Sequence, residues 1–546
     1  HRDLHSFPTR RSSDLAARLV HRAAADRPTL LVFQDAHRLD GPSLAVLERL
    51  AVLCGESGGT RLIVTARAPV FPEATLGRAP VRLRVERLPS PVARRICLET
   101  MTRIGAADPG AVERLLGAAG GLPLHLAQGL RLLHEGIPSV DGPLPDLVLL
   151  RARNLPPGAH RLLQWTAVSG GRLVLELAGE SGLSDPEVAE AVEVGLRHGF
   201  FAWDGEDRLR LAHPALWRIL LAGMPVQVRA DLHLRLYDGL RARERDPRLL
   251  AEHAFQARQL EAAASYYERA GARCEDQLDD AGAVLAYRRA YELTELGARQ
   301  GLDLQRFLGI CLRLGDLLRY TGAFSEAERV LQEALLYGRD DEPGTAQLLT
   351  SLARCVCAGS PEHAERLVQR AVRAVTRSVN PNVLYRVFFD IGTIALQTRR
   401  FETGLSAIRM GLSLLEGLPG APDTLWRLHV QCARCEAGAG RDEQAVQTCL
   451  AALERPEVKS SWIAQARLHE ELAQLHLEAR DSRGALERLQ LALAALRLAG
   501  DRAAAVDDEL RLAALDRGNR RAWAESAELH ARQIAYVNGV VRAREL

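Results

Sequence analysis

The chain of 546 residues is 47% apolar, 26% charged and 5% aromatic, and its formal net charge is +2. This length allows several domains, and the composition is typical of a mostly helical protein that folds in water. The near-neutral charge gives no support for a nucleic-acid-binding surface or an acidic tail, and no run of about 18 apolar residues predicts a membrane span.

Residues 1–15, HRDLHSFPTRRSSDL, do not read like a protein segment. Translated back into codons, they match without a gap a DNA that resembles a common sequencing adapter. We therefore exclude them from the fold and expect the natural protein to begin near Ala16, in what reads as the end of a helix. The segment also starts like the kinase catalytic loop H-R-D-L-x-x-x-N, but Pro8 stands where that motif has its Asn, so we reject the kinase interpretation.

The first strong structural signal is the apolar run Thr29–Phe33, which is followed by Asp35. Because the run does not alternate with polar residues, it predicts a strand buried on both faces of a parallel sheet. An acid at the carboxyl end of such a strand lies where open α/β sheets place their ligands. In P-loop NTPases the acid of this strand, Walker B, holds Mg²⁺. Taken alone, an Asp at a strand end is more often a helix N-cap than a site residue.

A helix and a second strand follow Asp35. Residues 42–50 place apolar side chains on one helix face, and RLIVT at 61–65 is another buried-type strand with Arg67 just beyond its end. Strands that alternate with helices predict a parallel α/β sheet.

The phosphate-binding half of a nucleotide site is missing from the sequence. No segment has the spacing G-x-x-x-x-G-K-[S/T], whose backbone N–H groups cradle phosphates, and Lys459 is the single lysine. We therefore expect a chain truncated at its N-terminus, which does not turn over ATP as it stands.

The segment LLVFQDAHRLDGPSLAVLERL resembles the Walker B region of the STAND-type AAA ATPases, which occur in large LuxR-type regulators and in fusions with nucleotide cyclases or Ser/Thr kinases. The matching positions are Asp35, His37, Asp40, Ser43 and Leu44. IVTAR at 63–67 resembles the sensor 1 strand of that family, and GGLPL at 120–124 resembles its G-x-P-L element. The sequence departs from the family at Gln34, where a second acid is usual, and at Arg38, where Trp is usual.

The resemblance implies functional roles for four residues. Asp35 would take part in catalysis and bind the metal, while Thr65, Arg67 and Pro123 would contact the nucleotide. The implied cofactors are ATP or ADP with Mg²⁺, in the complete protein only. Because the neutral amide of Gln34 cannot replace a carboxylate, we expect nucleotide binding to exceed hydrolysis, and whether ATP is hydrolysed stays open.

Residues 155–224 combine helical stretches with a short hairpin. We expect residues 199–203 and 208–211 to pair across an Asp-Gly turn. This pattern, with RLAHPALWRILLAGM at 210–224, resembles the winged-helix domain that follows the ATPase in the same family. The candidate recognition helix, Asp185–Arg197, is net acidic and would repel phosphate. We therefore favour an intramolecular clamp over DNA binding, and a packed structural role for His213.

From about Leu249 the sequence predicts continuous helices, and small residues recur seven positions apart. The small pairs are Ala283/Ala290, Ala327/Ala334, Ala364/Ala371, Gly404/Gly411, Ala445/Ala452 and Ala485/Ala492, and the bulky residues four after each first member are Tyr287, Leu331, Val368, Ile408, Cys449 and Leu489. A period of roughly forty residues indicates a solenoid of helical hairpins, in which small residues let neighbouring helices approach. Residues 314–335 resemble a tetratricopeptide repeat, which implies a groove that binds a partner.

The nine cysteines show no disulfide or zinc spacing. Cys432 and Cys435 form the one CxxC pair, and they fall in a helical pattern that makes both small buried residues rather than metal or redox groups. A reducing cytoplasm suits this composition.

The expected fold is mainly α: a partial α/β P-loop NTPase domain, then a winged-helix domain, then an α-solenoid. The expected segments are 1–15, foreign; 16–140, partial AAA/STAND ATPase; 141–245, winged-helix-like; 246–500, tetratricopeptide-like; and 501–546, helices that could be a true end or a linker to an output domain.

The expected function is that of a fragment of a bacterial signal-transduction or transcription-regulatory ATPase. A protein or small-molecule ligand on the repeat groove would control an ATP/ADP switch and self-assembly, without nucleic-acid binding by this fragment and without a membrane. The alternative is a tetratricopeptide scaffold protein with a degenerate ATPase remnant, for which Gln34 is the best support. A DNA-binding regulator would need a basic recognition helix that the sequence lacks.

Overall fold

The computed structural model describes a defined part of the chain: residues 17–18, 20–24, 28–39, 41–56, 60–67, 81, 83–104, 109–205, 208–243, 246–299, 303–338, 343–376, 378–416, 418, 423–534 and 536–545. The proposed adapter segment, 1–15, and Asp40 of the Walker B resemblance lie outside it. The chain divides into two compact units, 1–147 and 148–546. In the described residues no helix is long and apolar enough to cross a membrane.

The first unit contains the expected parallel strands. β1 (Thr29–Phe33) pairs with β2 (Thr60–Val64) in parallel, with Thr29 opposite Thr60 and Phe33 opposite Val64. Between them runs α1 (Gly41–Glu56), which packs against β2 and buries Leu47 and Leu50. The unit continues with three mutually packed helices, α2 (Ser90–Ile104), α3 (Pro109–Ala119) and α4 (Pro123–His134).

The expectation that β1 is buried on both faces is wrong for the described structure. Leu30 and Val32 are 56% and 51% exposed, and Ile63 of β2 is 47% exposed, whereas Leu31 and Phe33 are half-buried. Successive strand residues point to opposite faces of a sheet. Among the described residues one face of this two-stranded sheet is therefore covered less than the other.

A mixed α/β region follows, and its first helix runs across the boundary between the two units at residue 147. Its helices are α5 (Leu144–Arg153), α6 (Pro157–Val168), α7 (Asp185–Arg197), α8 (Pro214–Gly223) and α9 (Val226–Arg241), and its strands are β3 (Arg172–Val174), β4 (Phe201–Trp203) and β5 (Arg208–Leu211). The sheet is antiparallel with the order β3-β5-β4. The expected hairpin is confirmed as β4–β5, in which Trp203 lies opposite Leu209 and the turn contains Gly205 at φ +100°.

A buried arginine anchors the carboxyl end of α7. The side chain of Arg151 is 1% exposed, its Nη2 donates to the carbonyl of His198 at 2.6 Å, and its guanidinium lies 4.7 Å from the ring centre of Phe200. A cation beside the last carbonyls of a helix is favoured by the helix dipole. Arg151 therefore fixes the position of α7 relative to β4.

The rest of the second unit is an array of helices that pack as hairpins. The helices are α10 (Pro247–Gln256), α11 (Leu260–Asp276), α12 (Asp280–Arg299), α13 (Leu304–Tyr320), α14 (Phe324–Tyr337), α15 (Pro343–Val356), α16 (Pro361–Val375), α17 (Pro381–Thr398), α18 (Phe401–Glu416), α19 (Trp426–Gly438), α20 (Asp442–Leu453), the one-turn α21 (Pro456–Lys459), α22 (Trp462–Glu478), α23 (Ser482–Ala499), α24 (Arg502–Leu515), α25 (Arg520–Gln533) and α26 (Val537–Glu545). Consecutive helices pack together, and α13, α15, α17, α19 and α22 also pack each against the next. We call these five the first helices.

The small residues of the seven-residue pattern are all buried, and so are the six bulky residues that follow them. Glycines of the array, inside this pattern and outside it, mark close helix contacts. A Cβ on Gly315 would lie 2.7 Å from the side chain of Leu331, and one on Gly404 would lie 2.4 Å from the Cβ of Ala395. The predicted solenoid of tetratricopeptide-like hairpins is confirmed. Neighbouring helices pack through the small and bulky residues of the sequence pattern, and the contacts leave no room for larger small-position side chains.

Candidate functional site

The carboxyl ends of β1 and β2 meet and bring Asp35 beside Thr65. The backbone N–H of Asp35 donates to the Thr65 Oγ1 at 3.1 Å, and the N–H of Ala36 donates to the Thr65 carbonyl at 2.9 Å. Parallel strands put their carboxyl ends at the same edge of a sheet, so this contact follows from the strand register. Two of the four site residues expected from the sequence are thus neighbours.

The carboxylate of Asp35 does not cap the short helix that follows it. Asp35 occupies the position before a short 3₁₀ helix, Ala36–Arg38, with φ 55° and ψ 39°, yet its side chain makes no capping hydrogen bond. Its side chain is 54% exposed. An Asp in the left-handed region carries a modest backbone cost, which the Thr65 hydrogen bonds offset. The N-cap interpretation accounts for the position of Asp35 but not for a carboxylate that makes no capping hydrogen bond.

His37 is the third polar group at this edge. Its Nδ1 lies 3.9 Å from the Asp35 Oδ1 and is a buried atom with no hydrogen-bond partner. One carboxylate, one hydroxyl and one imidazole form a small donor set. Mg²⁺ bound to phosphates commonly needs only one or two protein carboxylates because water and phosphate oxygens complete its shell. Asp35 fits such a role, although no group of three His, Cys, Asp or Glu that could hold a metal occurs in the described residues.

Arg67 and Pro123 are not joined to Asp35 or Thr65. Arg67 is exposed, two residues beyond Thr65. Pro123 is the first residue of α4, after a Gly120-Gly121 turn at φ +51° and +79°. In the described residues no hydrogen bond or ion pair links either of them to the strand ends. The sequence placed these residues in one site, and the structure places Pro123 in the helical part of the unit.

The G-x-P-L resemblance marks a tight junction that sequence spacing alone does not reveal. The Leu88 N–H donates to the Gly121 carbonyl at 2.9 Å, and a Cβ on Gly121 would lie 2.4 Å from the Leu88 carbonyl oxygen. Only glycine fits such a close backbone contact at positive φ. The junction fixes the start of α4, and with it Pro123.

Pro123 lines an open cleft of about 410 Å³ that sequence reasoning missed. The cleft lies between α2 and α4, and its lining residues are Leu88, Ile96, Thr100, Pro123, Leu126, Ala127, Leu130, Arg131 and His134. The sequence does contain a signal for this cleft, because its lining residues are spaced three and four positions apart along each helix and so share one helix face. An apolar cleft with a few polar groups at its margin suits a flat, mostly apolar group such as a base.

The remaining sequence candidates have structural roles. His213 is exposed and caps α8, because its Nδ1 accepts the Ala215 N–H at 3.1 Å; the expectation of a packed His213 is therefore wrong. Cys432 and Cys435 are buried within α19. Burial raises the pKa of the Cys432 thiol to about 11 and that of Cys435 to about 12, so neither is a ready thiolate.

No protein-family model and no curated protein matches this chain. Among solved structures, it is similar to a Signal Transduction ATPase with Numerous Domains (STAND) protein with a tetratricopeptide repeat sensor from Pyrococcus horikoshii, at 14% identity and a TM-score of 0.50, over 96% of this chain and 76% of that one. It is also similar to pilF of Pseudomonas aeruginosa, at 16% identity and a TM-score of 0.30, over 44% and 97%. A third is YrrB, a TPR protein with an unusual peptide-binding site, at 16% identity and a TM-score of 0.24, over 34% and 84%. The first likeness supports the mainly helical fold with a small sheet.

Proposed function

We propose that the complete protein is a signal-transduction ATPase of the STAND type, whose tetratricopeptide-like array controls an ATP/ADP switch in the cytoplasm. The observation that carries this proposal is the contact of Asp35 with Thr65 at the carboxyl ends of two parallel strands, in a chain that continues as an array of helical hairpins. A switch needs ligand and nucleotide to prefer the same conformation, and a separate sensor array supplies the second binding site.

In this proposal each site residue has one task toward the nucleotide. Asp35 would bind Mg²⁺ directly or through water, Thr65 and Arg67 would contact the terminal phosphate, and Pro123 would contact the base. Mg²⁺ bound there would neutralise charge on the phosphates. The exposed carboxylate of Asp35 and the apolar cleft at Pro123 fit these tasks. The phosphate-cradling loop would come from sequence that this chain lacks.

The half-exposed sheet supports further sheet structure in the complete protein. The face that carries Leu30 and Val32 is apolar, and Val81, Leu83 and Val85, which alternate with polar residues in the sequence, are 87–96% exposed. Parallel sheets are normally buried on both faces. We propose that additional strands and helices cover these residues.

We propose that residues 141–245 form a winged-helix clamp that does not bind nucleic acid. The helix α7 carries Asp185, Glu187, Glu190 and Glu193 on exposed positions. Such a surface repels the phosphate backbone. The 246–500 array would then bind a protein or small molecule, and residues 501–546 would lead to the output that self-assembly activates.

The first experiment is to resequence the genomic locus upstream of codon 16 and to express the complete protein. We expect an in-frame phosphate loop, and Mg²⁺-dependent binding of a fluorescent ATP analogue that Asp35→Asn weakens at least about tenfold. Asp141→Asn, an exposed acid of the same unit, is the control and should bind as the parent does. A locus that encodes residues 1–15, or a complete protein without nucleotide binding, would refute the switch.

One observation favours the scaffold alternative. Gln34 is exposed beside Asp35, so among the described residues Asp35 is the single carboxylate that directly follows the strand, and a second acid for hydrolysis is missing there. A complete protein that has no nucleotide affinity but binds a partner through its helical array would establish the scaffold function instead.

A further inference from the structure

Two buried histidines join the last helix of the mixed α/β region, α9, to the first helix of the array, α10. The Nδ1 atoms of His233 on α9 and His253 on α10 lie 2.9 Å apart, and the two ring centres are 5.1 Å apart. The two residues are 7% and 5% exposed. One Nδ1–H donates a hydrogen bond and the other Nδ1 accepts it, so the contact needs at least one imidazole whose Nδ1 is unprotonated.

Two charged side chains act directly on this histidine pair. Arg229 lies one turn before His233 on α9, and its positive charge opposes a second positive charge on that imidazole. Glu252 precedes His253 on α10 and favours the charged form of that imidazole. The Glu252 carboxylate also accepts a hydrogen bond from the Tyr267 hydroxyl of α11 at 2.9 Å, so it is already engaged by another group.

Charged and titratable groups on the other elements packed around the pair contact partners of their own. The helix α9 also packs on α6 and on the 3₁₀ helix Leu175–Ser181. From these elements Arg161 donates to a backbone carbonyl at 3.5 Å, and Glu180 pairs with Arg243 at 3.3 Å. From α11, the ring of Tyr266 packs edge-on against a tyrosine of α9. Arg229 and Glu252 therefore set the electrostatics of the histidine pair.

Burial keeps both histidines neutral while the two helices are in contact. Burial first, and then the charges of His253 and Arg229, lower the pKa of His233 to about 3. Burial also lowers the pKa of His253 to about 4, against the opposing effect of Glu252. When the helices separate, both imidazoles reach water and regain the ordinary histidine pKa of about 6.5. Because the folded-state pKa values are depressed, the contact is fully stable above about pH 6.5 and loses stability as the pH falls from there toward about pH 4.

We propose that the His233–His253 contact is an acid-sensitive joint, which opens between α9 and α10 as the pH falls below about 6.5 and uncouples the mixed α/β region from the array. The inference goes beyond the nucleotide switch, because it gives the chain a second input, the proton, at residues outside the nucleotide site. The helix α10 has 10 residues, so its local opening breaks few contacts. The open form takes up two protons that the closed form does not, so the open fraction should rise about a hundredfold between about pH 7.5 and about pH 5.5.

The test is amide hydrogen exchange of the full chain, measured by mass spectrometry on peptides from α9 and α10 at about pH 7.5 and about pH 5.5. Each exchange rate is compared with the intrinsic rate at the same pH, and the resulting protection factor is free of the chemical effect of pH. We expect the protection factors of the slowest α10 amides to fall about a hundredfold at the lower pH. Those of α13 and α14, which lie further along the array, should stay as they are at the higher pH.

Two substitutions assign the effect to the histidine pair. His253→Asn removes one of the two protons and keeps a hydrogen-bonding group beside the His233 Nδ1. It should reduce the fall in protection to about tenfold, and the double variant with His233→Asn and His253→Asn should abolish it. His363→Asn is the matched control, because it removes a half-buried histidine from α16, and it should keep the full fall of the parent.

Three outcomes would each overturn the proposal: an unchanged protection factor of α10 at the lower pH, an equal fall in α10 and in α13 and α14, or a full fall in the double variant. The comparison between helices of the parent needs no variant, so the test also holds where a substitution impairs folding. The nucleotide switch is tested separately, by ATP-analogue binding to the complete protein, so the two proposals can fail independently.

Discussion

Single residues with positive φ reveal a repeated turn that the sequence shows only in part. In the helical array Arg258, Leu278, Arg399 and Arg480 adopt φ of 56–61° after a helix, where Gly322, Gly440 and Gly500 adopt φ of 75–86°. Glycine is favoured at such helix ends because it has no Cβ to clash with the backbone. The glycine positions are readable from the sequence, whereas the same turn at a Leu or an Arg is not.

Leu278 is the clearest case of a residue that this turn disfavours. Its side chain is 88% exposed, so it contributes little burial in return for φ 57°. We expect Leu278→Gly to raise the free energy of unfolding by about 0.5–1 kcal/mol, as measured by urea denaturation followed by circular dichroism. The reverse change at an equivalent turn, Gly440→Leu, should lower it by about 1 kcal/mol. A lower free energy of unfolding in the Leu278→Gly protein would contradict the inference that the left-handed backbone of Leu278 costs the fold stability.

At the scale of the helices, the array is held by close contacts between small and large residues. Gly315 and Gly309 share α13 but have different surroundings: a Cβ on Gly315 would lie 2.7 Å from Leu331, whereas nothing lies within 4 Å of a Cβ on Gly309. The same change, glycine to alanine, made at each of these two positions therefore separates the effect of packing from the effect of helix propensity within one helix.

We expect Gly315→Ala to lower the free energy of unfolding by about 1–3 kcal/mol, because the added methyl group overpacks the contact between α13 and α14. Gly309→Ala should instead raise it by about 0.5–1 kcal/mol, since alanine has the higher helix propensity. Urea midpoints of the two variants and the parent give the measurement. Effects of the same sign would contradict the packing assignment.

Buried carboxylates between helices make the stability of the array depend on pH. Asp508 of α24 is fully buried, one of its oxygens has no partner, and Arg511 donates to the other at 3.1 Å. Burial, and then the negative charge of Glu470, raise the pKa of the Asp508 carboxyl to about 7. The native state therefore holds a proton that the unfolded chain releases at lower pH.

The folded-state pKa of Asp508 is raised, so its contribution to the free energy of unfolding is largest below about pH 4 and smallest above about pH 7. The contribution falls as the pH rises between these two values. Asp508→Asn is neutral throughout, so we expect the variant to gain stability relative to the parent as pH rises through this window. Urea unfolding at about pH 4.5 and about pH 8 measures the difference. Glu525→Gln, which changes an exposed carboxylate of α25 that is paired with Arg521, is the control. Parallel pH dependence of the Asp508→Asn variant and the parent would contradict the assignment.

On the scale of the whole molecule, the chain joins the Asp35–Thr65 strand ends, which we propose as part of a nucleotide site, to an array of hairpins. We expect the 546-residue chain to release no phosphate from ATP above the rate of buffer alone, because its sequence contains no G-x-x-x-x-G-K-[S/T] segment to cradle the β- and γ-phosphates. A phosphate-release assay with Asp35→Asn as the comparison measures this. Turnover that disappears in the Asp35→Asn protein would mean that the site is complete without the expected loop.

The sequence by itself determined the elements: the parallel strand pair, the β4–β5 hairpin and the helices with small residues seven apart. These are properties of local periodicity, since a side chain's face depends on its position within a few residues. Tertiary structure alone decided the left-handed Asp35 beside Thr65, the exposed face of Leu30 and Val32, the cleft at Pro123 and the hydrogen bonds between first helices. Each of these depends on groups about 30 to 70 residues apart in the chain, and only packing sets their distance.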